Sequence, residues 1–229
     1  IRDALDSGDE AKARQLLADW QQVRVDELPR SEFLRHVIEF SVLSAHRHVF
    51  GVLCVFSVLS ALGLGPAGAI AYRISEFVAR YWEYKAKTTH HPLSPALRQT
   101  AIQCWRLIDY VPSRATALGF AVVGSFEDAI ECWRNHAQQF PVDNDGVILA
   151  ATSGAVNVRL GGEAAAFKPH ASQGDLAPDA EAGAEFTSQP TPGREPQMAH
   201  LAQIVGLVWR SVVLWLVLLA LLTLARLLG

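Results

Sequence analysis

Residues 201–225 carry a single charged side chain, Arg210, and residues 212–222 are wholly apolar. A bilayer core is crossed by about 20 apolar residues in a helix, so this stretch is predicted to be a transmembrane helix. A second stretch, residues 49–72, also lacks any charged side chain. Its interior holds Gly63, Gly65, Pro66 and Gly68, which would kink or break a helix there. One straight span and a broken, hairpin-like segment both fit. Half of the residues are hydrophobic and the mean hydropathy is +0.17, high for a soluble protein, so the apolar runs carry weight. The expected fold class is all-α: a multi-pass integral membrane helical protein, with amphipathic or interfacial helices and a disordered loop before the last transmembrane helix.

The remaining segments follow helical periodicity. Ala13, Leu16, Leu17 and Trp20 give one apolar face behind the capping-box spacing of Ser7 and Glu10, predicting a short amphipathic helix over residues 8–20. Phe33, Leu34, Val37, Ile38 and Val42 predict a second helix, closed by the basic cluster His46-Arg47-His48. Beyond residue 72, Arg73, Arg80, Lys85 and Lys87 alternate with Phe77, Tyr81, Trp82 and Tyr84, a mixture suited to a membrane interface or to the core side of an amphipathic helix. His90-His91-Pro92 is expected to be a polar loop; adjacent histidines cannot share a helix face, and no metal site is assigned.

A helix carrying Leu97, Ala101, Trp105 and Ile108 then runs into Pro112, and an uncharged run starts at Ala115. Arg114 stands at that junction. It suits a guanidinium held at the headgroups, or an exposed residue on a proline-initiated core helix. Residues 115–124 are too few to cross a bilayer alone; a re-entrant piece, a shallow helix and part of a span beginning near residue 107 all remain. Ser125 is placed to cap the next helix, which stops at Phe140-Pro141. Asp143-Asn144-Asp145-Gly146 is turn chemistry without the twelfth-position Glu of a calcium loop, and residues 147–158 form a small-residue helix suited to close packing. Residues 163–198, rich in Ala, Pro, Gly, Ser and Gln, are expected to be a linker or disordered loop. The organisation is thus residues 1–48 as amphipathic helices, 49–162 as a membrane-embedded helical core, 163–200 as a flexible linker and 201–229 as the last transmembrane helix.

Several classes are excluded. A net charge of -3 and a pI near 6.2 give no basic field, so no nucleic-acid partner is expected. Cys54, Cys104 and Cys132 are widely separated and expected to be small buried hydrophobes, neither a disulfide framework nor a zinc site. The chain begins at Ile1 without a targeting segment, as part of a longer protein would.

Four ordered motifs carry a resemblance: Ala4-Leu5 with Gly8-Asp9, the run Gly68-Ala69-Ile70-Ala71-Tyr72-Arg73, the run Pro112-Ser113-Arg114-Ala115-Thr116-Ala117-Leu118, and Val158-Arg159-Leu160-Gly161-Gly162. Together they resemble the CobD/CbiB family of cobalamin-biosynthesis membrane proteins. Residues 107–114 look closer to the related AmpE membrane protein. The resemblance implies an adenosylcobinamide-phosphate synthase activity, ATP-dependent amide formation between adenosylcobyric acid and an aminopropanol group or its phosphate. It implies ATP and Mg as cofactors, the lipid bilayer and a corrinoid substrate as partners, and the bacterial inner membrane as location. Its substrate-binding candidates are Tyr72, Arg73, Arg114, Thr116, Arg159, Gly161 and Gly162, with Glu39 the surviving acid as catalytic candidate. The sequence departs from the family's acidic signature: Leu43, Ser44 and Arg47 replace its second Glu, Asn and Asp, Glu76 and Ala79 replace an Asn and an Asp, and Trp105 and Arg106 replace an Asp pair. Those losses keep open an alternative, a non-catalytic AmpE-like membrane protein in signalling or assembly, in which the arginines serve at the interface.

Overall fold

The computed structural model describes residues 12, 15, 29–64, 66–88, 95–162 and 189–228. The predicted helix over residues 8–20 lies outside them apart from Lys12 and Gln15, both helical, and so do the His90-His91 loop and residues 163–188. Among the described residues there is no strand; one isolated parallel bridge joins Val158 to Arg194. The helices are α1 (Arg30–Ala45), a π-helical turn (His46–Phe50), α2 (Gly51–Ala61), α3 (Ala67–Thr88), α4 (Pro95–Ile108), α5 (Tyr110–Val123), α6 (Phe126–His136), α7 (Asp143–Val156) and α8 (Met198–Leu228).

The basic cluster does not close the first helix. His46-Arg47-His48 forms the π turn through which α1 runs on into α2, so the long apolar helix is Arg30–Ala61 and not residues 49–72. The chain reverses after Ala61, where Gly63 adopts φ 83°, a conformation open to glycine, and α3 packs back on α2. The hairpin alternative is the one the structure adopts. Further on, Pro112 does not end a helix but lies in the first turn of α5. It has no N–H to offer the Ile108 carbonyl, so the ladder is interrupted there and α4 gives way to α5 at Asp109.

The core gathers around α7, whose residues 144–154 are all buried. A helix buried on every side needs apolar or small residues all round, which Val147, Ile148, Leu149, Ala150 and Ala151 supply. Phe33, Ile38 and Val42 of α1, Phe50 of the π turn, Phe120 of α5 and Ile204 and Leu207 of α8 complete it. Phe50 meets Phe120 edge to face at 5.4 Å, a geometry worth about 1 kcal/mol beyond its burial. The stretch expected as a turn, Asp143 to Gly146, is instead the first turn of α7, where acidic side chains suit the positive helix end. Asn157 in the left-handed region closes the helix. Ser125 does occupy the N-cap of α6, but its hydroxyl donates to Asp128 at 2.6 Å and caps no backbone N–H.

Glycine lets α6 and α7 touch backbone to backbone. A β-carbon at Gly154 would lie 2.2 Å from the Asp128 carbonyl oxygen, and one at Gly146 2.4 Å from that of Ala137. Gly154→Ala is therefore expected to lower stability by about 2 kcal/mol, because a rigid backbone and not a flexible side chain must give way. Thermal melting of the purified protein reads this directly, and an unchanged Tm would show that the two helices can separate freely.

Residues 189–197, within the expected linker, are tied to the bundle. Thr191 is 1% exposed, its N–H donates to the Leu160 carbonyl, and its hydroxyl oxygen accepts the Leu160 N–H at 2.8 Å and meets Ser153 Oγ at 2.7 Å. Strand-like pairing continues through Arg159 N–H to the Arg194 carbonyl. This strap delivers the chain to α8. Its 31 residues span about 46 Å at 1.5 Å each, more than a bilayer core needs. Leu201, Ile204, Leu207 and Ser211 pack on the bundle, while Val213, Leu216, Leu221 and Leu227 of the later turns are exposed. Arg30–Ala61 and Met198–Ala225 are the two stretches among the described residues long and apolar enough to cross a membrane.

Candidate functional site

Four polar side chains from four elements meet at the centre of the bundle with almost no exposure: His46 0%, Tyr72 0%, Asp109 1% and Thr116 1%. His46 opens the π turn, a geometry that recurs at functional positions because the extra residue re-aims side chains. The Gly51 N–H closes the wide turn onto the His46 carbonyl. Gly51 also makes room for α3, since a β-carbon there would lie 2.1 Å from the Tyr72 hydroxyl oxygen. Asp109 sits at the α5 N-cap, yet its carboxylate caps nothing. It turns inward.

Asp109 Oδ1 accepts from His46 Nε2 at 2.9 Å and from the Tyr72 hydroxyl at 2.7 Å. On the other edge of the ring, His46 Nδ1 lies 2.9 Å from Thr116 Oγ1, which itself lies 3.0 Å from the Pro112 carbonyl. The threonine hydroxyl has one proton and so donates to Nδ1 or to the Pro112 carbonyl, not to both at once. Burial first, then the Asp109 charge, pushes the Tyr72 phenol above its ordinary range, so it remains the proton donor of its pair. Trp105 covers it at 5.1 Å between ring centroids.

Around this centre lies a layer of ion pairs. Arg47, next to His46, donates to Asp145 of α7 at 2.8 Å. Asn144 donates to the Arg106 carbonyl at 3.0 Å and accepts from Arg114 at 3.2 Å. Arg114 also bonds the Tyr110 carbonyl and lies 3.4 Å over the Tyr110 ring. On α3, Glu76 is held between Arg73 and Arg80, and Arg73 donates to His48 at 2.9 Å.

Tyr72 and Thr116 thus meet through His46, and Arg73 and Arg114 lie on the same two helices. The other sequence-derived candidates do not join this group. Glu39 precedes His46 by seven residues on the same helix, about 10 Å along its axis. Its carboxylate accepts the Gly161 N–H at 2.7 Å and is paired with Arg35 at 3.4 Å. Gly161 and Gly162, with φ of 74° and 124°, shape the turn that brings this N–H to Glu39, and the Arg159 side chain points outward while its N–H joins the strap. Glu39 is spent on holding that turn. The residues that sequence reasoning missed are His46 and Asp109. The signal for Asp109 was present, a lone carboxylate three residues before a proline in an otherwise apolar surrounding; for His46 its place in a basic cluster hid it.

Residues 1–186 match the family model described as CobD/Cbib protein. The chain belongs to the CobD/CbiB family. It is 30% identical over 155 residues to the cobalamin biosynthesis protein CobD of Stutzerimonas stutzeri, covering 68% of this chain and 45% of that protein. It is 30% identical over 164 residues to the protein of the same name from Chromobacterium violaceum, covering 72% and 49%. A shorter match, 42% over 59 residues, is to the cobalamin biosynthesis protein CobD of Mycobacterium tuberculosis, covering 24% of this chain and 19% of that one. The chain spans about half the length of the first two of these relatives. No solved structure matches it. At the level of the CobD/CbiB family these matches support cobalamin biosynthesis, and they do not favour the AmpE-like alternative. The whole buried network, His46 to Thr116, falls inside the family-matching region.

The four buried carboxylates among the described residues, Glu39, Glu76, Asp109 and Asp145, are all engaged by this chain's own groups, so none of them stands ready for the magnesium that the family resemblance implies. That ion needs near-octahedral oxygen coordination with one or two carboxylates free to bind. Asp109 is occupied by His46 and Tyr72, Asp145 by Arg47, Glu76 by Arg73 and Arg80, and Glu39 by Arg35 and Gly161. No group of three or more His, Cys, Asp or Glu side chains among the described residues is arranged to hold a metal ion.

Proposed function

We propose that this chain acts in cobalamin biosynthesis as a synthase of the adenosylcobinamide-phosphate type, forming an amide between adenosylcobyric acid and an aminopropanol group or its phosphate at the expense of ATP. It would do so as a multi-pass protein of the bacterial inner membrane, with Arg30–Ala61 and Met198–Ala225 as spans. The observation that carries the reading is the buried His46–Asp109–Tyr72–Thr116 network within the family-matching region, flanked by Arg73 and Arg114.

The chemistry asks for groups that bear phosphate charge and hold two substrates in register. Arg73 and Arg114 are the guanidinium contacts, to phosphate or to the corrin side-chain amides. Tyr72 and Thr116 take a different part from the one the resemblance implied. Fully buried and fully hydrogen-bonded, they position the arginines by locking α3 and the α4–α5 junction onto the π turn. Arg159, at the strap, is kept as a contact to a more distant part of the corrinoid.

Complementation tests this. The full-length gene is expected to restore cobalamin synthesis to a strain lacking its cobinamide synthase, and Arg114→Lys to lower that restoration by about tenfold, because lysine keeps the charge but loses the guanidinium plane that stacks on Tyr110 and bonds Asn144. Failure of the wild-type gene would turn the assignment to the non-catalytic alternative.

A further inference from the structure

Three charged side chains within eight residues, Arg73, Glu76 and Arg80, hide α3 from any search for apolar runs. The chain itself neutralises them: Glu76 is buried and held between the two arginines, and Arg73 also bonds His48. The same helix turns a bare apolar face outward, Ile70, Ile74, Phe77 and Val78, each between 37% and 59% exposed and all at helical spacing. Its course retraces the helix before it. As the chain advances from Gly68 to Tyr72 to Arg73, its partner retreats from Val55 to Gly51 to His48. A β-carbon on Gly68 would lie 2.8 Å from the Val55 carbonyl oxygen, Tyr72 fills the space a β-carbon of Gly51 would need, and Arg73 meets His48 at 2.9 Å. The two arms are antiparallel and closely packed, so α3 reaches whatever depth α2 reaches. Its 22 residues are about 33 Å long, enough for a hydrocarbon core of about 30 Å.

We infer that α3 is a further membrane crossing, antiparallel to the α1–α2 helix, with Ile70, Ile74, Phe77 and Val78 against lipid acyl chains. The inference rests on the reading of Arg30–Ala61 as a span. Residues 42–61, the end of that helix, suffice to fill the hydrocarbon. His48 and its partner Arg73 then lie about 9 Å from the near boundary, where a long guanidinium stem still reaches the headgroups. By the same register Tyr81 and Trp82, whose rings meet edge to face, come level with residues 41–42, at the boundary where aromatic side chains settle. An ion triplet inside the crossing is tolerated because its charges are paired with one another and the carboxylate faces the bundle.

The test is labelling by a membrane-impermeant maleimide of the full chain in right-side-out and in inside-out membrane vesicles. Cys54 and Cys132 are buried, so Cys104→Ala, which removes the exposed thiol, provides the background. Single cysteines then go to exposed positions: Arg30→Cys before the span, Leu62→Cys at the hairpin tip, Gln99→Cys beyond α3 and Ile74→Cys on its outer face. Arg30→Cys and Gln99→Cys are expected to label in vesicles of one orientation, Leu62→Cys in the other, and Ile74→Cys in neither until the membrane is dissolved in SDS. Leu64→Cys repeats the tip measurement should Leu62→Cys fail to insert. Leu62→Cys opposite to Arg30→Cys but on the same side as Gln99→Cys would overturn the crossing by α3 and leave the first span standing. Leu62→Cys on the same side as Arg30→Cys would overturn the span reading itself, and the crossing with it. Labelling of Ile74→Cys in intact vesicles would put that face in water and overturn the inference.

Discussion

Asp109→Ala is expected to cost about 4 kcal/mol of stability and to abolish complementation. Its carboxylate is the acceptor shared by the His46 Nε2–H and the Tyr72 hydroxyl, and both donors are fully buried. Removing the acceptor leaves two polar groups without a partner where no solvent reaches, each costing about 1–3 kcal/mol, and more where the group is charged. The cavity adds to this. Asp109→Asn keeps the oxygen that both donors share but loses the charge that strengthens the two bonds, so an intermediate loss of about 2 kcal/mol is expected. Tyr72→Phe removes one donor and leaves the His46 contact, costing about 1 kcal/mol. Because the residues act as one network, Asp109→Ala combined with Tyr72→Phe should cost less than the sum of the two. Thermal melting in detergent measures all four. If Asp109→Ala stays within about 0.5 kcal/mol of the wild type, as ordinary surface substitutions do, the network holds nothing together.

The second large effect concerns Glu39, and it separates a catalytic acid from a structural one. Glu39→Ala leaves the Gly161 N–H without its acceptor and withdraws one of the two carboxylates around Arg35, the other being Glu32. A loss of about 3 kcal/mol is expected, together with loosening of the turn at Gly161 and Gly162. Glu39→Gln is the discriminating variant. Its amide oxygen still accepts the Gly161 N–H, so most of the stability should return and complementation with it. Activity that stays near zero in a Gln variant with a wild-type melting temperature would make Glu39 the catalytic acid that the family resemblance implied.

Helical periodicity and charge-free runs are local properties, and from them the all-helical class, the last long helix and the small-residue helix α7 could be read directly. Boundaries were harder. Pro112 looked like a helix end because a proline is tolerated in a first turn as readily as it terminates a last one, and only the position of Asp109 tells which applies. The basic cluster at His46 looked like a terminus because cations favour helix C-ends; a π turn continuing the helix has no sequence signature of its own. The strap at Thr191 was invisible, since its stability comes from Ser153 and Leu160, more than 30 residues earlier in the chain.

What the sequence determined by itself was the solvent preference of each segment and the family: apolar runs must leave water, and ordered motifs persist in one dimension. The tertiary structure alone decided which polar residues serve together. His46, Tyr72, Asp109 and Thr116 are separated by up to 70 positions and share no motif. They meet because α3 folds back at Gly63 and because Gly51 lacks the atom that would hold Tyr72 away. The same holds for charge. Arg47 and Asp145 are unremarkable apart, and only their 2.8 Å contact shows that an acid which could have bound a cation is already neutralised. Pairing is a property of distance, and distances between remote residues are set by packing, not by sequence order.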